Sequence, residues 1–271
     1  TKFPHVIVLG GYQTRFMKKT KNFFSKLHPN VPIIITNHQT AEMIKYANNS
    51  FLATKISFIN QLSNICQNIP GANIDDIAKT IGLDPRIGAL FLNAGPGYGG
   101  SCLPKDMKAL ISFADKIGIN PILLNAVEKT NQKQIQNIVS LMEKTLGTLA
   151  SKRITVLGTA FKPNTDDVRD SIAIELIKKL LKKKSRITIY DPKAMKNTRN
   201  IFGEKIVYAR SIVDALNKSQ CVILMTHWKQ FERFNNNSMK RMTKKFIIDC
   251  RRILVEKELQ AEYHAIGIGK K

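Results

Sequence analysis

The chain has no apolar segment long enough to cross a membrane. Its apolar runs, such as residues 6–9 and 31–35, have the length of a β-strand, whereas a spanning helix needs about 20 apolar residues. No stretch of the sequence has the pattern of a secretory signal. These absences, with a hydrophobic content of 43%, predict a water-soluble globular protein without a membrane partner.

Cysteine is scarce, and its spacing is not that of a metal site. The four cysteines, Cys66, Cys102, Cys221 and Cys250, form no closely spaced pair, so the sequence predicts no metal ligand set. Cys66 lies in a helical pattern, and Cys221 and Cys250 lie in strand-like runs, where a free cysteine behaves as a small apolar residue. We expect these three in the core and the protein in the reducing cytoplasm.

Acidic residues are few: 20 Asp and Glu against 43 Lys and Arg leave a net charge of +23. Such an excess raises the question of nucleic-acid binding. The basic run at residues 178–184 alternates lysines with leucines, however, as an amphipathic surface helix does. No recognisable nucleic-acid motif accompanies it, so we expect solvated helix faces rather than a nucleic-acid partner.

The order of apolar patterns predicts an α/β protein with a helical middle. Strands are predicted at residues 6–9, 31–35, 153–158, 186–192, 221–226 and 246–249, and helices at 14–27, 39–69, 74–81, 104–117, 121–146, 172–181 and 212–216. The helix at 39–69 has no Gly or Pro and would be about 45 Å long. Such a helix often serves as a spine or a dimer interface. Alternation of strands and helices after residue 150 indicates a parallel sheet covered by helices.

Ligands of such folds bind beyond the carboxyl ends of the parallel strands. Suggestive side chains follow predicted strands here: Phe161-Lys162 after the first strand of the C-terminal part, His227-Trp228 after the third, and Arg251-Arg252 after the last.

The densest chemical signal is the segment Gly95-Pro96-Gly97-Tyr98-Gly99-Gly100-Ser101-Cys102-Leu103-Pro104-Lys105-Asp106. Glycines permit a close approach of backbone to ligand. A nucleophilic cysteine reacts as its thiolate, which a neighbouring cation favours, and Lys105 lies three residues after Cys102. Asp106 could hold a water or orient an amine. Residue types alone leave a structural turn with an incidental cysteine as an equal alternative.

Two further groups have both a functional and a structural interpretation. Lys45 and Asn49 are four residues apart and share a helix face; they are either a surface pair or a charge and an amide that stabilise an oxyanion. The segment 161–171 lies between a strand and a helix, where Lys162 and Arg169 could bind phosphate. That segment is not a G-x-G-x-x-G fingerprint, and a polar loop before a capped helix is the alternative.

These groups together resemble the UDP-glucose 6-dehydrogenase family, within the wider UDP-glucose/GDP-mannose dehydrogenases. The matching pieces stand in family order: Ile44-Lys45-Tyr46-Ala47-Asn48-Asn49, Asp84-Pro85-Arg86-Ile87-Gly88, the loop 95–106, the segment 157–171 and Asp249-Cys250-Arg251. The resemblance implies an α/β fold of three parts: the end of a Rossmann NAD domain at 1–37, a central helical dimerisation domain with a long spine helix at 38–150, and a C-terminal Rossmann-like parallel α/β domain at 151–271 that binds the UDP-sugar.

The family oxidises the C6 alcohol of UDP-glucose to a carboxylate by two hydride transfers to NAD, and the UDP-glucuronate formed serves polysaccharide synthesis. The resemblance implies that Cys102 attacks the intermediate aldehyde to give a thiohemiacetal. A thioester follows and is hydrolysed by water. By the same resemblance Lys45 stabilises the charge on the reacting oxygen, and Asn49 and Asp106 position the alcohol and the water.

The resemblance also implies the binding residues. Those for the substrate are Lys45, Asn49, Arg86, Asn93, Ala94, Gly95, Pro96, Gly97, Tyr98, Gly99, Phe161, Lys162 and Arg251, and those for the cofactor NAD are Cys102, Lys105 and Arg169. The loop 93–99 would wrap the nucleotide sugar with backbone amides. Arg86 would reach the substrate of a neighbouring subunit, which implies a homodimer built on the long helix.

The chain departs from the family pattern at its start and at Ile172, which stands where a proline is common. Only the final strand–helix–strand of the NAD domain is expected, without its glycine fingerprint and without a glutamate-bearing loop that should precede Phe3. We therefore expect this 271-residue polypeptide neither to bind NAD properly nor to turn over, although the intact gene product would be active.

Two alternative functions remain open at this point. One is a dehydrogenase for GDP-mannose or an N-acetylated UDP-sugar, although the Asp-Pro-Arg-Ile-Gly and Tyr-Gly-Gly-Ser-Cys segments resemble the UDP-glucose branch more closely. The other is a fragment without catalytic activity that binds a nucleotide sugar or a nucleic acid.

Overall fold

A computed structural model describes residues 4–270. The chain divides into two compact units, one that ends at Phe51 and one that begins at Leu52. The segment expected to lie before Phe3 is outside the described residues. Among the helices of the described part, none is both long and apolar enough to span a membrane.

The first unit contains a small parallel sheet. Strands β1 (Ile7–Gly10) and β2 (Ile33–Thr36) pair in parallel, with Ile7 opposite Ile33, and helix α1 (Thr14–Leu27) connects them. A parallel pair needs such a crossover, so this confirms the predicted strand–helix–strand. Helix α2 (His38–Cys66) begins in this unit and ends in the second.

Helices dominate the first half of the second unit. After α2 come α3 (Ile74–Gly82), α4 (Leu103–Lys116) and α5 (Ile122–Leu146). Asn73 caps α3 by accepting a hydrogen bond from the N–H of Asp75 at 2.9 Å, and Pro104 stands in the first turn of α4, where its missing N–H costs nothing. All four helices begin and end within three residues of their predicted bounds.

A six-stranded parallel sheet forms the second half of this unit. Its strands are β3 (Arg153–Leu157), β4 (Arg186–Tyr190), β5 (Val207–Tyr208), β6 (Cys221–Leu224), β7 (Phe246–Asp249) and β8 (Glu262–Ala265), in the spatial order β5-β4-β3-β6-β7-β8. The strand order reverses between β3 and β6. In doubly wound sheets of this kind, the crevice at the reversal is where ligands bind.

The main apolar core lies on this sheet. Helix α6 (Ile172–Lys182) buries Leu176, Ile177 and Leu180 completely, against strands whose residues are themselves buried, such as Val156 and Ile223. A strand covered on both faces is apolar along its length. The remaining helices are α7 (Met195–Phe202) and α8 (Ile212–Ala215), with short 3-10 turns at Gly203–Lys205, Lys229–Arg233 and Asn236–Met239.

Several expectations meet the structure here. Cys66, Cys221 and Cys250 are buried, as predicted. The prediction that the strand before Arg251 is the last was wrong, because β8 follows β7 and extends the sheet by one strand. The α/β fold with parallel sheets and a long helix is confirmed, whereas the boundaries after residues 37 and 150 stay predictions.

Candidate active site

The reversal of strand order places a cleft between the ends of β3 and β6. Ala160 and Phe161 follow β3, Met225 and Thr226 follow β6, and all four line the cleft. The opposite wall consists of the glycine loop, the start of α6 and one arginine: Gly97, Gly99, Ser171, Ile172, Ala173 and Arg251. The cleft therefore joins four stretches that are far apart in sequence: residues 97–99, 160–173 and 225–226, and Arg251.

The N-terminal end of α6 gives this cleft a positive potential. Ser171, Ile172 and Ala173 line the cleft at the first turn of the helix. The free N–H groups and the dipole of a helix N-terminus favour an anion. The hydroxyl of Ser171 is not the cap, because it donates to the carbonyl of Thr159 at 2.7 Å and so fixes the turn after β3.

Arg251 adds a cation to the same cleft. Its Nε donates to the carbonyl of Met225 at 2.9 Å, and its Nη1 lies 2.9 Å from the point that a β-carbon on Gly95 would occupy. Only glycine at position 95 leaves room for this approach. Burial lowers the pKa of Arg251, yet a guanidinium stays charged at every physiological pH.

The glycine loop approaches the segment after β3 closely. Gly100 has φ = +86°, and a β-carbon there would lie 2.7 Å from the ring of Phe161. The Gly100 N–H donates to the carbonyl of Asp170 at 3.3 Å. Glycine is required here by both space and backbone angle, and the contact brings the segments predicted at 95–106 and 161–171 together.

Cys102 stands at the end of this loop, directly before α4. It occupies the N-cap position, its carbonyl accepts from the N–H of Asp106 at 3.0 Å, and its side chain is exposed. The hydroxyl of Ser101 is 3.8 Å from its sulfur. The thiol is thus accessible to a reagent or a substrate, in contrast to the three buried cysteines.

Two ion pairs involve predicted site residues, one close to Cys102 in the sequence and one in the segment 161–171. Asp106 is buried, and its carboxylate is 3.2 Å from Nζ of the exposed Lys105. The pKa of Arg169 is raised, first by its hydrogen bond to Asp167 and to a smaller degree by Cys102. The same pairing, at 2.7 Å, lowers the pKa of Asp167. Arg169 is therefore held by Asp167 while most of its side chain stays exposed.

The other predicted residues of the C-terminal part divide into two kinds. Lys162 is exposed, with its Nζ 5.4 Å from the ring centre of Phe161, which suits a cation that meets a ligand. Trp228 is buried and donates from Nε1 to Asp191 at 3.2 Å, while the exposed His227 pairs with Glu232. This pair therefore has a structural explanation.

Arg86 lies on the turn after α3. Its guanidinium bonds both carboxylate oxygens of Asp84, at 2.6 Å for the shortest contact, and its side chain is 87% exposed. This bond raises the pKa of Arg86 and lowers that of Asp84. Lys55 holds the turn by donating to the carbonyls of Ile87 and Gly88 at 3.0 Å. The exposed position suits contact with a second molecule.

Lys45 and Asn49 lie in the first unit, whereas Cys102 and the cleft lie in the second. Both are on α2, one turn apart, as their spacing predicts. Lys45 Nζ is 5.2 Å from the ring centre of Tyr46, and the amide of Asn48 bonds Asn49 at 3.4 Å.

Sequence reasoning missed the residues that support the glycine loop. Asn60 on α2 and Asn131 on α5 are buried and bond the loop backbone. Asn131 shares a helix face with the buried Val127 and Ile135, which is the signal that could have found it. Asn60 has no such signal, because the residues one turn before and after it are the polar Ser57 and Ser63. The loop itself has G-x-G-x-x-G spacing but follows no strand, so it is not the dinucleotide-binding fingerprint.

Two models of one protein family match the chain. The family described as "UDP-glucose/GDP-mannose dehydrogenase family, central domain" matches residues 39–133, and its "UDP binding domain" matches residues 155–256. The cleft residues 160, 161, 225, 226 and 251 fall in the second match, and the loop and Cys102 fall in the first.

Individual relatives match most of this chain. UDP-glucose 6-dehydrogenase TuaD of Bacillus subtilis is 40% identical over 255 residues, 92% of this chain and 55% of that protein. UDP-glucose 6-dehydrogenase of Rickettsia conorii is 39% identical over 98% of this chain and 62% of its own length. A UDP-glucose dehydrogenase structure from Pyrobaculum islandicum superposes with a TM-score of 0.88 at 32% identity, covering 98% of this chain and 59% of that one. The chain thus spans 55–62% of these relatives.

Proposed function

The chain belongs to the UDP-glucose/GDP-mannose dehydrogenase family, and we propose that it forms the sugar-nucleotide site and carries the nucleophile of an NAD-dependent UDP-glucose 6-dehydrogenase. One observation carries the proposal. The exposed Cys102 ends the same glycine loop whose Gly97 and Gly99 line a cleft with the start of α6 and Arg251. An anion site and an accessible thiol therefore share one loop.

The charge around the cleft, whose cavity is only about 10 Å³, suits a UDP-sugar diphosphate that binds at its mouth. The N-terminal turn of α6 and the guanidinium of Arg251 both favour an anion, and Lys162 adds an exposed cation nearby. The ring of Phe161 offers an apolar face. A substrate diphosphate bound here would direct the sugar along the glycine loop towards Cys102.

The chemistry proposed for Cys102 is covalent catalysis. After the C6 alcohol is oxidised to an aldehyde, the thiolate of Cys102 would add to the aldehyde carbon to give a thiohemiacetal. Loss of a second hydride from that carbon would leave a thioester, and water would replace sulfur to release the carboxylate. The buried carboxylate of Asp106, four residues later, is the group proposed to orient that water.

NAD would accept the hydride in each of the two oxidations. Lys105, whose side chain is 61% exposed, and Arg169, which is 71% exposed, are cations suited to the phosphates of such a cofactor. We propose Cys102, Lys105 and Arg169 as the cofactor contacts of this part of the protein.

Lys45 and Asn49 complete the proposal by resemblance. Lys45 would stabilise the negative charge on the reacting oxygen, and Asn49 would position the alcohol. Their placement on one face of α2 is compatible with a joint role.

The choice of UDP-glucose rests on the relatives. Those at 38–42% identity are named UDP-glucose 6-dehydrogenases, whereas a UDP-D-ManNAc dehydrogenase structure from Pyrococcus horikoshii is 25% identical, with a TM-score of 0.78. GDP-mannose and N-acetylated UDP-sugars are the competing substrates.

Isothermal titration of the 271-residue chain tests the site. We expect UDP-glucose to bind more tightly than GDP-mannose or UDP-N-acetylmannosamine, and Arg251→Ala to weaken UDP-glucose binding by at least about tenfold. Arg210→Ala, which removes an exposed arginine from the same domain, is the charge-matched control. Salt-dependent binding of DNA without any binding of UDP-glucose would contradict the proposal and favour a nucleic-acid module.

We also propose a homodimer on the long helix. Phe58 and Ile65, two turns apart on α2, are 53% and 50% exposed, and Leu83 and Leu90 beside Arg86 are 77% and 78% exposed. Large exposed apolar side chains of this kind are typical of an interface when they form one patch. A dimer through this surface would place Arg86 at the partner molecule.

Analytical ultracentrifugation tests the dimer. We expect the wild-type chain to sediment as a dimer and Phe58→Glu to sediment as a monomer. Val213→Glu, which changes an exposed apolar residue of the C-terminal part, should leave the dimer intact. A wild-type monomer at high protein concentration would contradict this interface.

A further inference from the structure

We infer that Asn60, Asn131 and Arg252 are positioning residues that hold the glycine loop in its ligand-binding shape before a ligand arrives. The inference rests on the proposed function, since it assigns the loop to the sugar nucleotide. Each of the three side chains comes from a different element, is buried or nearly so, and bonds a backbone atom of the loop. We call these three residues the loop clamp.

Asn131 makes the most complete contact. Its Oδ1 accepts from the N–H of Tyr98 at 2.7 Å, and its Nδ2 donates to the carbonyl of the same residue at 3.0 Å. One carboxamide thus satisfies both backbone groups of Tyr98, as a neighbouring strand would. The side chain is only 7% exposed, so water does not compete for these bonds.

Gly97 is the residue that permits this contact. Its φ is +117°, and a β-carbon there would lie 2.6 Å from Oδ1 of Asn131. A side chain at position 97 would therefore push the Asn131 carboxamide away from the backbone of Tyr98. The glycine at this position is explained by the asparagine as well as by the ligand.

Asn60 and Arg252 hold the beginning of the loop. Oδ1 of Asn60 accepts from the N–H of Gly95 at 2.7 Å. Nη1 of Arg252 donates to the carbonyl of Ala94 at 2.9 Å, while its Nε bonds Asp75 at 2.7 Å. The start of the loop is therefore bonded to helix α2 and to the segment after β7, and through Arg252 it is linked to Asp75 on helix α3.

The geometry of Asn60 favours a positioning role over a purely stabilising one. Its Nδ2 is buried without a hydrogen-bond partner among the described residues, and an unsatisfied buried donor is unfavourable. An apolar side chain would avoid that cost but would leave the Gly95 N–H unbonded. The asparagine therefore serves the loop backbone.

The clamp decides which loop groups can meet a ligand. The N–H groups of Gly95 and Tyr98 are used inside the protein, so the loop cannot offer every amide from 93 to 99 to a substrate. Gly97 and Gly99, which line the cleft, lie between or beyond the clamped positions. A loop fixed in this way binds without the entropy cost of ordering it, as a well-supported binding site requires.

Two measurements on the 271-residue chain test the inference. Asn131→Ala should speed hydrogen exchange of the peptide 93–101 without ligand and weaken UDP-glucose binding about tenfold, which is about 1.4 kcal/mol. Asn125→Ala, an exposed asparagine on the same helix, should change neither. Asn131→Asp keeps the size and the acceptor for Tyr98 N–H but turns an acceptor oxygen towards the Tyr98 carbonyl, so it should show the same two changes. It replaces the alanine variant if that variant does not fold.

Failure of the inference differs from failure of the proposed function. If the wild-type chain does not bind UDP-glucose, the proposed function is contradicted. The hydrogen-exchange measurement still tests whether the loop clamp orders the loop. The clamp would be overturned, whatever the substrate, if Asn131→Ala folds and leaves both the loop exchange and the UDP-glucose affinity unchanged. If Asn131→Ala does not fold, the same result in Asn131→Asp would overturn it.

Discussion

The phenol of Tyr98 donates a hydrogen bond to the carboxylate of Glu128 at 2.9 Å. Glu128 stands one helical turn before Asn131, which bonds the backbone of the same tyrosine. Burial, and to a smaller degree the charge of Glu128, raise the pKa of Tyr98, so the phenol remains a donor at physiological pH. Helix α5 therefore holds the centre of the glycine loop by side chain and backbone together.

Tyr98→Phe should destabilise the protein modestly. The variant keeps the buried ring but removes the bond to Glu128, and the loss of such a bond costs about 1 kcal/mol. The midpoint of urea unfolding measures it. Tyr12→Phe is the matched control, since the Tyr12 hydroxyl accepts a bond from Gln39 on an exposed side chain. Equal midpoints for the two variants would show that the Glu128 bond contributes nothing.

Gly97→Ala should damage the loop far more than a simple glycine replacement does. Its β-carbon would meet Asn131 Oδ1, and its φ of +117° is closed to alanine. We expect weaker UDP-glucose binding by at least about tenfold, measured by titration calorimetry.

Gly118→Ala is the control for backbone strain. Gly118 has φ = +78°, and no atom lies within 4 Å of the point that a β-carbon there would occupy, so alanine costs only the left-handed backbone, about 1–2 kcal/mol. UDP-glucose affinity should stay as in the wild type. Equal affinity in the two variants would contradict the close fit between Gly97 and Asn131.

The free energy of unfolding should fall as the pH drops below 6.5, the ordinary pKa of a histidine, because of His264. Burial lowers the pKa of His264 from its ordinary value of 6.5, against a smaller opposite effect of Glu262, while Lys144 and Lys270 lower it further. A pKa below that of the unfolded chain means that the unfolded state binds the proton more readily. The stabilisation from neutral His264 is present above pH 6.5 and is lost as the pH falls towards the folded pKa.

Thermal unfolding of wild type and His264→Gln between about pH 8 and about pH 5 measures this effect. As the pH falls, the unfolding midpoint of the wild type should decrease more than that of the variant, because only the wild type carries the histidine. A difference that is constant across this range would contradict the assignment.

Thiol chemistry should separate Cys102 from the other cysteines. Iodoacetamide should alkylate the exposed Cys102 in the native chain, whereas Cys66, Cys221 and Cys250 should react only after unfolding because they are buried. Burial also raises the pKa of Cys221 and Cys250, which disfavours their thiolates. Peptide mass spectrometry identifies the sites, and native Cys102→Ser should remain unlabelled.

The elements with strong periodic patterns could be predicted from the sequence. Helix α5 and strand β7 have the expected apolar spacing, and their bounds differ from prediction by one residue at most. Helix α7 (MKNTRNIF) has few apolar residues, and β8 (EYHA) is short and polar at a sheet edge. Neither pattern distinguishes these segments from loops.

Only those parts of the site that have a local sequence pattern could be predicted. Glycines and a cysteine in one short loop are visible in a sequence, as is the segment that follows β3. Asn60 and Asn131 resemble the polar face of a helix until the fold shows them buried. The contact of Arg251 with the loop depends on the strand order β3-β6-β7, which no local pattern specifies.

Protection of Cys102 by UDP-glucose is the sharpest test of whether the thiol and the anion-binding cleft belong to one substrate site. The rate of Cys102 alkylation by iodoacetamide is measured in the 271-residue chain with and without saturating UDP-glucose, and with DNA as a polyanion control. We predict that UDP-glucose slows alkylation several-fold, roughly in proportion to site occupancy, and that DNA does not. An unchanged alkylation rate at a concentration of UDP-glucose that titration shows to be saturating would contradict it.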